Sequence, residues 1–219
     1  MLEFYTFIPD LVSSMPIEKS NISDFVWYNK MVADLKQCRR VSAHTSRCPG
    51  IIGIGNMGWI QRSYQDFVIH TNGDGVSFDF ECEIDQKKLM YGDLMNDYIS
   101  LHPASQLFDF GNFKKNTLKT IVKIQSPWVV KIPKGYSVIA MPIPLSDRNE
   151  FTSACGILKH TNFLNVQLFW HSLNDSVVIK KGTPLQQYIM VKDESLPYSV
   201  NQIESSLVDN IIDDIRAQK

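Results

Sequence analysis

Between Thr120 and Lys192 the chain carries six short apolar runs: Thr120–Ile124, Trp128–Ile132, Tyr136–Pro142, Asn165–His171, Ser176–Lys181 and Leu185–Lys192. Gly, Pro and polar pairs punctuate them at short, regular intervals. Parallel strands need crossovers of a dozen or more residues, and the gaps here are too short for that. The spacing therefore predicts a mainly β fold, a barrel or sandwich, with one helix before it and one after it. Within "SPWVVKIPKGYSVIAMPIP", Pro133 fixes φ and withdraws an amide, and Gly135 permits the turn. Trp128–Ile132 and Tyr136–Pro142 thus become the limbs of a β-arch that Pro142 and Pro144 close.

The flanks are read as parts of one domain. Residues 1–47 hold a short strand and a helix, with Ser23 as expected N-cap and Asp24 near the positive end of the dipole. Val26, Met31, Ala33 and Leu35 supply its apolar positions, and Lys36, Arg39 and Arg40 crowd its C-terminal turn. Residues 48–119 form a first β region with a helical insertion, 120–192 the main β region, and 193–219 a closing helix. In the first β region, Phe67–His70 and Val76–Cys82 flank Asn-Gly and Asp-Gly pairs, which predicts a hairpin. Val76, Phe78, Phe80 and Cys82 alternate with Ser77, Asp79 and Glu81, giving one core face and one acidic face. "GIIGIGNMG" is not expected to be a phosphate-cradling glycine loop, having too many β-branched residues and no following helix, and 85–105 is expected to be helical or irregular up to Pro103. Ile203, Leu207, Ile211 and Ile215 recur every four residues, a stripe suited to the β core or to a neighbouring subunit.

With 22 basic and 23 acidic residues the formal net charge is −1, so nucleic acid is not expected as a partner. The local cluster Lys36, Arg39, Arg40 and Arg47 reads as a solvated helix end. Four cysteines without a CxxC pair suit a reduced compartment. The start "MLEFYTFIPD" lacks a signal-peptide pattern, and no apolar run reaches the ~20 residues of a membrane span. The expectation is a cytoplasmic, homo-oligomeric protein that uses no cofactor and has a protein or small-molecule partner.

Two signatures, "RCPGI…GWIQRSYQDFVIHTNGDG" and "IQSPWVVKIPKGYSVIAMPIP…GILKHTNFLNVQLFW…VVIKKGTPLQQYIMVKD", resemble an uncharacterised protein family of tailed bacteriophages, including marine phages. The likeness covers roughly residues 45–82 and 120–192 and implies no transferable activity. Residues 126–192 are more distantly similar to the dUTPase-type β-barrel. Gly156-Ile157-Leu158 stands where that fold has a Gly-Ile-Asp strand, and Lys180-Lys181-Gly182 through Gln187 matches its closing segment. Where those enzymes carry the aspartate that orients water, this chain offers Lys159 or His160. In place of their phosphate motif stand only Ser146, Asp147 and Arg148. The likeness implies the fold without the reaction.

Among chemical candidates, His44 and Cys48 have a spacing that fits two metal ligands on one helical turn, which Pro49 and Gly50 break. His70 and Asp74 are spaced too widely for the H-x-D limb of an iron site. His102 and His171 complete one only through long-range folding, which leaves an oxygenase as the remotest alternative. Cys155 beside Gly156 reads as core filler more readily than as a nucleophile with His160. Asp79 and Glu81 share a strand face, as exposed acids commonly do. Trp59, Trp128 and Trp170, with Arg62, Tyr136 and His171, form the candidate ligand-binding set: an aromatic face, if folding brings it together. The function expected is a non-enzymatic binding or assembly module, with a diverged nucleotide-binding or nucleotide-hydrolysing enzyme as the rival.

Overall fold

In the computed structural model, which describes residues 1–37, 45–82, 98–103 and 116–194 together with Pro197 and Asp213, the chain is mainly β. Fifteen strands among these residues pair into four antiparallel sheets. One joins β1 (Glu3–Thr6), β8 (Trp128–Lys131) and β12 (Thr161–Phe163). A second runs β10 (Phe151–Ser153), β13 (Val166–Trp170), β7 (Ile121–Ile124) and β6 (Ile99–His102). The largest runs β11 (Gly156–Leu158), β9 (Tyr136–Met141), β15 (Pro184–Lys192), β3 (Trp59–Arg62) and β2 (Glu18–Lys19). The fourth holds β14 (Ser176–Ile179), β4 (Phe67–Thr71) and β5 (Phe78–Cys82).

The Pro133–Gly135 segment is an arch. β8 and β9 belong to different sheets, Gly135 has φ 80°, and Tyr136 N closes the turn on Pro133 O at 3.2 Å. A second arch lies against it, since β11 pairs with β9 and β12 with β8. His160 turns that corner at φ 61°. The core fills the space between the sheets, with Val130, Val138, Leu164, Leu168 and Trp170 at 1% exposure or less. β13 shows the period of two plainly, burying Val166, Leu168 and Trp170 and half-exposing Gln167 and Phe169.

Several expectations change. The turn Ile22–Asp24 is a 3-10 helix capped by Asn21, whose side chain accepts from Ser23 N at 3.0 Å. Ser23 therefore lies inside that turn, and the helix α2 runs over Val26–Gln37, after the short α1 (Leu11–Ser14). Pro49–Gly55 is a helix, α3, begun by Pro49 where its missing amide costs nothing. Its end is held from afar. Gln187 Nε2 donates to Ile54 O at 2.8 Å and to Met57 O, and Ser20 Oγ donates to Gly55 O at 2.7 Å. Ile99–His102, expected as helical or irregular, is a strand because it finds β7 as a partner. Cys155 is exposed rather than core. The stripe Ile203, Leu207, Ile211 and Ile215 lies outside the described residues. Asp213 is helical and exposed.

Candidate functional site

A cleft of about 420 Å³ opens where the start of α2, the end of β3, the loop 142–150 and the start of β15 meet. Small-molecule sites typically begin at about 300 Å³. β3 brings Arg62 to it. Ile60, one alternation earlier on the same face, packs in a small cluster with Phe25 and Ile143, both of which line the cleft. Ser63 N to Thr183 O and Gly182 N to Ser63 O, both 2.8 Å, pin the end of β3 to the turn before β15. Arg62 Nε donates to Glu18 Oε2 at 3.2 Å, and Nη1 donates to Gly182 O at 3.1 Å. Two of the five donors of its guanidinium are thereby engaged.

The loop 142–150 supplies the opposite wall. Pro142 and Pro144 keep it off the β9 ladder, and Leu145 adopts φ 50°. Ser146 N closes a turn on Ile143 O at 3.3 Å, and Ser146 Oγ accepts from Arg148 N at 3.2 Å. Arg148 is held loosely. Its Nη2 donates to Thr183 Oγ1 at 3.4 Å and its Nη1 lies 3.5 Å from Glu150 Oε1, both long for hydrogen bonds. Glu150 is fixed through its backbone, whose carbonyl accepts from His171 N at 2.7 Å. A smaller recess of about 160 Å³ adjoins the cleft and shares Ile143, Ser146, Arg148 and Pro184 with it.

Phe25 and Trp27 form the aromatic wall, their rings stacked at 6.2 Å and 17°. The lining carries two guanidiniums, Arg62 and Arg148, against three carboxylates, Asp24, Asp147 and Glu150. A field of both signs favours a ligand that also carries both, and opposes a dense polyanion.

Of the candidate ligand-binding set, Arg62 lines this cleft and the others lie elsewhere, while Ser146, Asp147 and Arg148, which stand in place of a phosphate motif, line it too. Trp59 points to the other face of β3 and meets Phe4 edge-on at 5.8 Å. Trp128 and Trp170 are core residues, 4% and 0% exposed, and Trp170 stacks on Phe151 at 6.0 Å. Tyr136 opens β9 at the arch, opposite Lys192. His171 is held between Thr117 Oγ1 (3.2 Å) and Thr152 Oγ1 (2.8 Å). The three tryptophans therefore do not make a common aromatic face, because the alternation that buries one side of each strand takes their rings inward. Cys48 is the exposed N-cap of α3, while His44, Arg39 and Arg40 lie outside the described residues. Among the described residues, no three His, Cys, Asp or Glu side chains converge as a metal site. No described helix is long and apolar enough to cross a membrane. Phe25, Trp27, Glu150 and Pro184 were not singled out. The legible signal was the charge-dense, proline-bounded loop "PIPLSDRNEF", since loops on a rigid scaffold often carry function.

No protein-family model matches the chain. No curated protein matches it either. Among solved structures it is similar to a mutant dUTPase of Staphylococcus bacteriophage 80alpha, at 11% identity over 94% of this chain and 99% of that one, with a TM-score of 0.38. A likeness at that level says nothing of activity.

Proposed function

We propose that the protein is a binding module whose cleft takes a small ligand, or the tip of a partner's loop, carrying both an anionic group and N–H donors. The observation that carries this is the convergence of Arg62, Arg148, Asp147 and Glu150 on one cleft walled by Phe25 and Trp27. The guanidiniums take the anion, the carboxylates take the donors, and the aromatic pair covers the apolar part. Binding alone accounts for these groups, so no reaction step is required of them.

A nucleotide is the second reading, favoured by the stacked Phe25–Trp27 pair beside two arginines. Three carboxylates in the same lining oppose an unscreened triphosphate. Titration calorimetry of the wild type and Arg148→Ala with an Asp-Lys dipeptide and with dUTP separates the two. The binding reading expects heat with the dipeptide that Arg148→Ala abolishes, and no dUTP turnover. Tight dUTP binding with hydrolysis would replace it by the enzymatic one.

Self-association belongs to the same reading. Tyr5 and Phe163, 47% and 41% exposed, flank Val129 in one cross-strand row on the outer face of the β1–β8–β12 sheet. Tyr5→Asp should lower the mass seen by native mass spectrometry. A Tyr5→Asp mass equal to that of an oligomeric wild type, or a monomeric wild type, would count against it.

A further inference from the structure

The outer face of the β14–β4–β5 sheet carries a second chemical arrangement, remote in topology from the cleft. The register places Ser176 opposite His70 and His70 opposite Asp79, while Val178, Val68 and Glu81 make the adjacent row on the same face. Ser176 Oγ and His70 Nδ1 are 2.8 Å apart. His70 Nε2 lies 3.4 Å from Glu81 Oε1, the diagonal neighbour across the ladder. Nε2 is shielded from water and makes no well-formed hydrogen bond, so this carboxylate is the group that acts on it. A carboxylate on the Nε2 side favours the Nε2–H tautomer, which leaves Nδ1 as the acceptor for the serine O–H. A nucleophile, a base within hydrogen-bond reach and a third group orienting the base are the parts an activated serine needs.

We infer that Ser176 is a base-activated nucleophile that accepts acyl groups from activated esters. Ser176 Oγ attacks the acyl carbonyl carbon and its proton passes to His70 Nδ1. The bond from that carbon to the leaving oxygen breaks, and the leaving group takes the proton from His70. The products are acyl-Ser176 and the free alcohol. Water deacylates it by the same route in reverse, giving its proton to Nδ1 as the serine oxygen departs and recovers it. Val178, 46% exposed, and Val68 lie beside the pair and provide an apolar floor for a short acyl chain. The Ser176 amide is engaged by Asp175 Oδ1 at 2.8 Å and is not free to hold an oxyanion. The chemistry is therefore confined to donors with good leaving groups. Glu81, 77% exposed, is a positioning residue.

Treating the full-length protein with p-nitrophenyl acetate and mapping acetyl groups by peptide mass spectrometry tests this. Ser176 should acetylate at least ~10-fold faster than Ser23, an exposed serine of the same chain. Folded His70→Gln should lose that advantage, so that Ser176 labels no faster than Ser23, because the general base is gone. Glu81→Gln should lose part of it and Glu81→Asp restore part, with unchanged thermal stability. Acetylation of Ser176 no faster than of Ser23, acetyl found on His70 instead, or a folded His70→Gln that labels like wild type would each overturn the inference. If His70→Gln does not fold, the comparison of Ser176 with Ser23 in the wild type still decides it.

Discussion

Arg148 and Glu150 face each other across 3.5 Å, and the second carboxylate oxygen of Glu150 is shut off from water without a hydrogen-bond partner. Both side chains are about a third exposed, 33% and 30%, so the pair adds no more than about 1 kcal/mol to stability. It does occupy the guanidinium that an incoming anion needs. Glu150→Gln keeps the shape and removes the competing charge, and should tighten binding of inorganic phosphate by roughly 3–10-fold with little change in Tm. Weaker phosphate binding than wild type, measured by calorimetry, would show that Glu150 does not compete for Arg148.

Two glycines should respond in opposite directions to the same change. Gly58 has φ 72°, and a Cβ there would lie 1.9 Å from Tyr188 O. Gly58→Ala should therefore destabilise by about 3 kcal/mol or more, since strain and overpacking act together. Gly53, inside α3, has nothing within 4 Å of its would-be Cβ. Gly53→Ala should stabilise by roughly 0.5–1 kcal/mol. Urea midpoints of the two variants check this, and a similar shift for both would refute the packing around Gly58.

Tyr188 sits fully inside the core, its hydroxyl donating to Gln61 Oε1 at 2.9 Å with Gln186 Oε1 and Leu164 O also in range. Burial raises its pKa far above the ordinary phenol value. Above about pH 10 the unfolded chain releases this proton and the folded chain keeps it, so stability is full below that pH and falls as pH rises. Tyr188→Phe should be less stable at pH 7, because Gln61 loses its donor, by about 1–3 kcal/mol. It should also lose less stability than wild type between pH 9 and 11. Equal alkaline losses in the two proteins would contradict the burial of the hydroxyl's proton.

Every run expected as a strand between Thr120 and Lys192 is one, because short β-branched and aromatic runs closed by Gly and Pro have few other uses. What was illegible depends on partners remote in sequence. α3 ends on the amide of Gln187 and the hydroxyl of Ser20, and β6 exists because β7 pairs with it. The cleft was illegible for the same reason. Arg62 stood out as a charge near a tryptophan, but its neighbours Phe25, Trp27 and Arg148 come from two other segments. Trp128 and Trp170 serve the core, while Trp27, given no role beforehand, lines the cleft.

The dependence of α3 on Gln187 gives its own prediction. Gln187→Leu keeps the volume and removes the donor to Ile54 O and Met57 O. Amide exchange over residues 52–58 should accelerate by about 10-fold or more, with strand β13 unchanged. Uniform acceleration across both would mean that the side chain supports the whole fold rather than the helix end.

The proposed binding role of the cleft is tested most directly by the indole N–H signals of the protein in solution. Four tryptophans give four signals, and Trp27→Phe identifies the one in the cleft. On titration with an Asp-Lys dipeptide, the Trp27 signal should move saturably while that of Trp170, 0% exposed, stays still. The movement should vanish in the double variant Arg62→Ala, Arg148→Ala. A Trp27 signal indifferent to the dipeptide, or one that still moves without both arginines, would contradict the assignment of this cleft as the binding site.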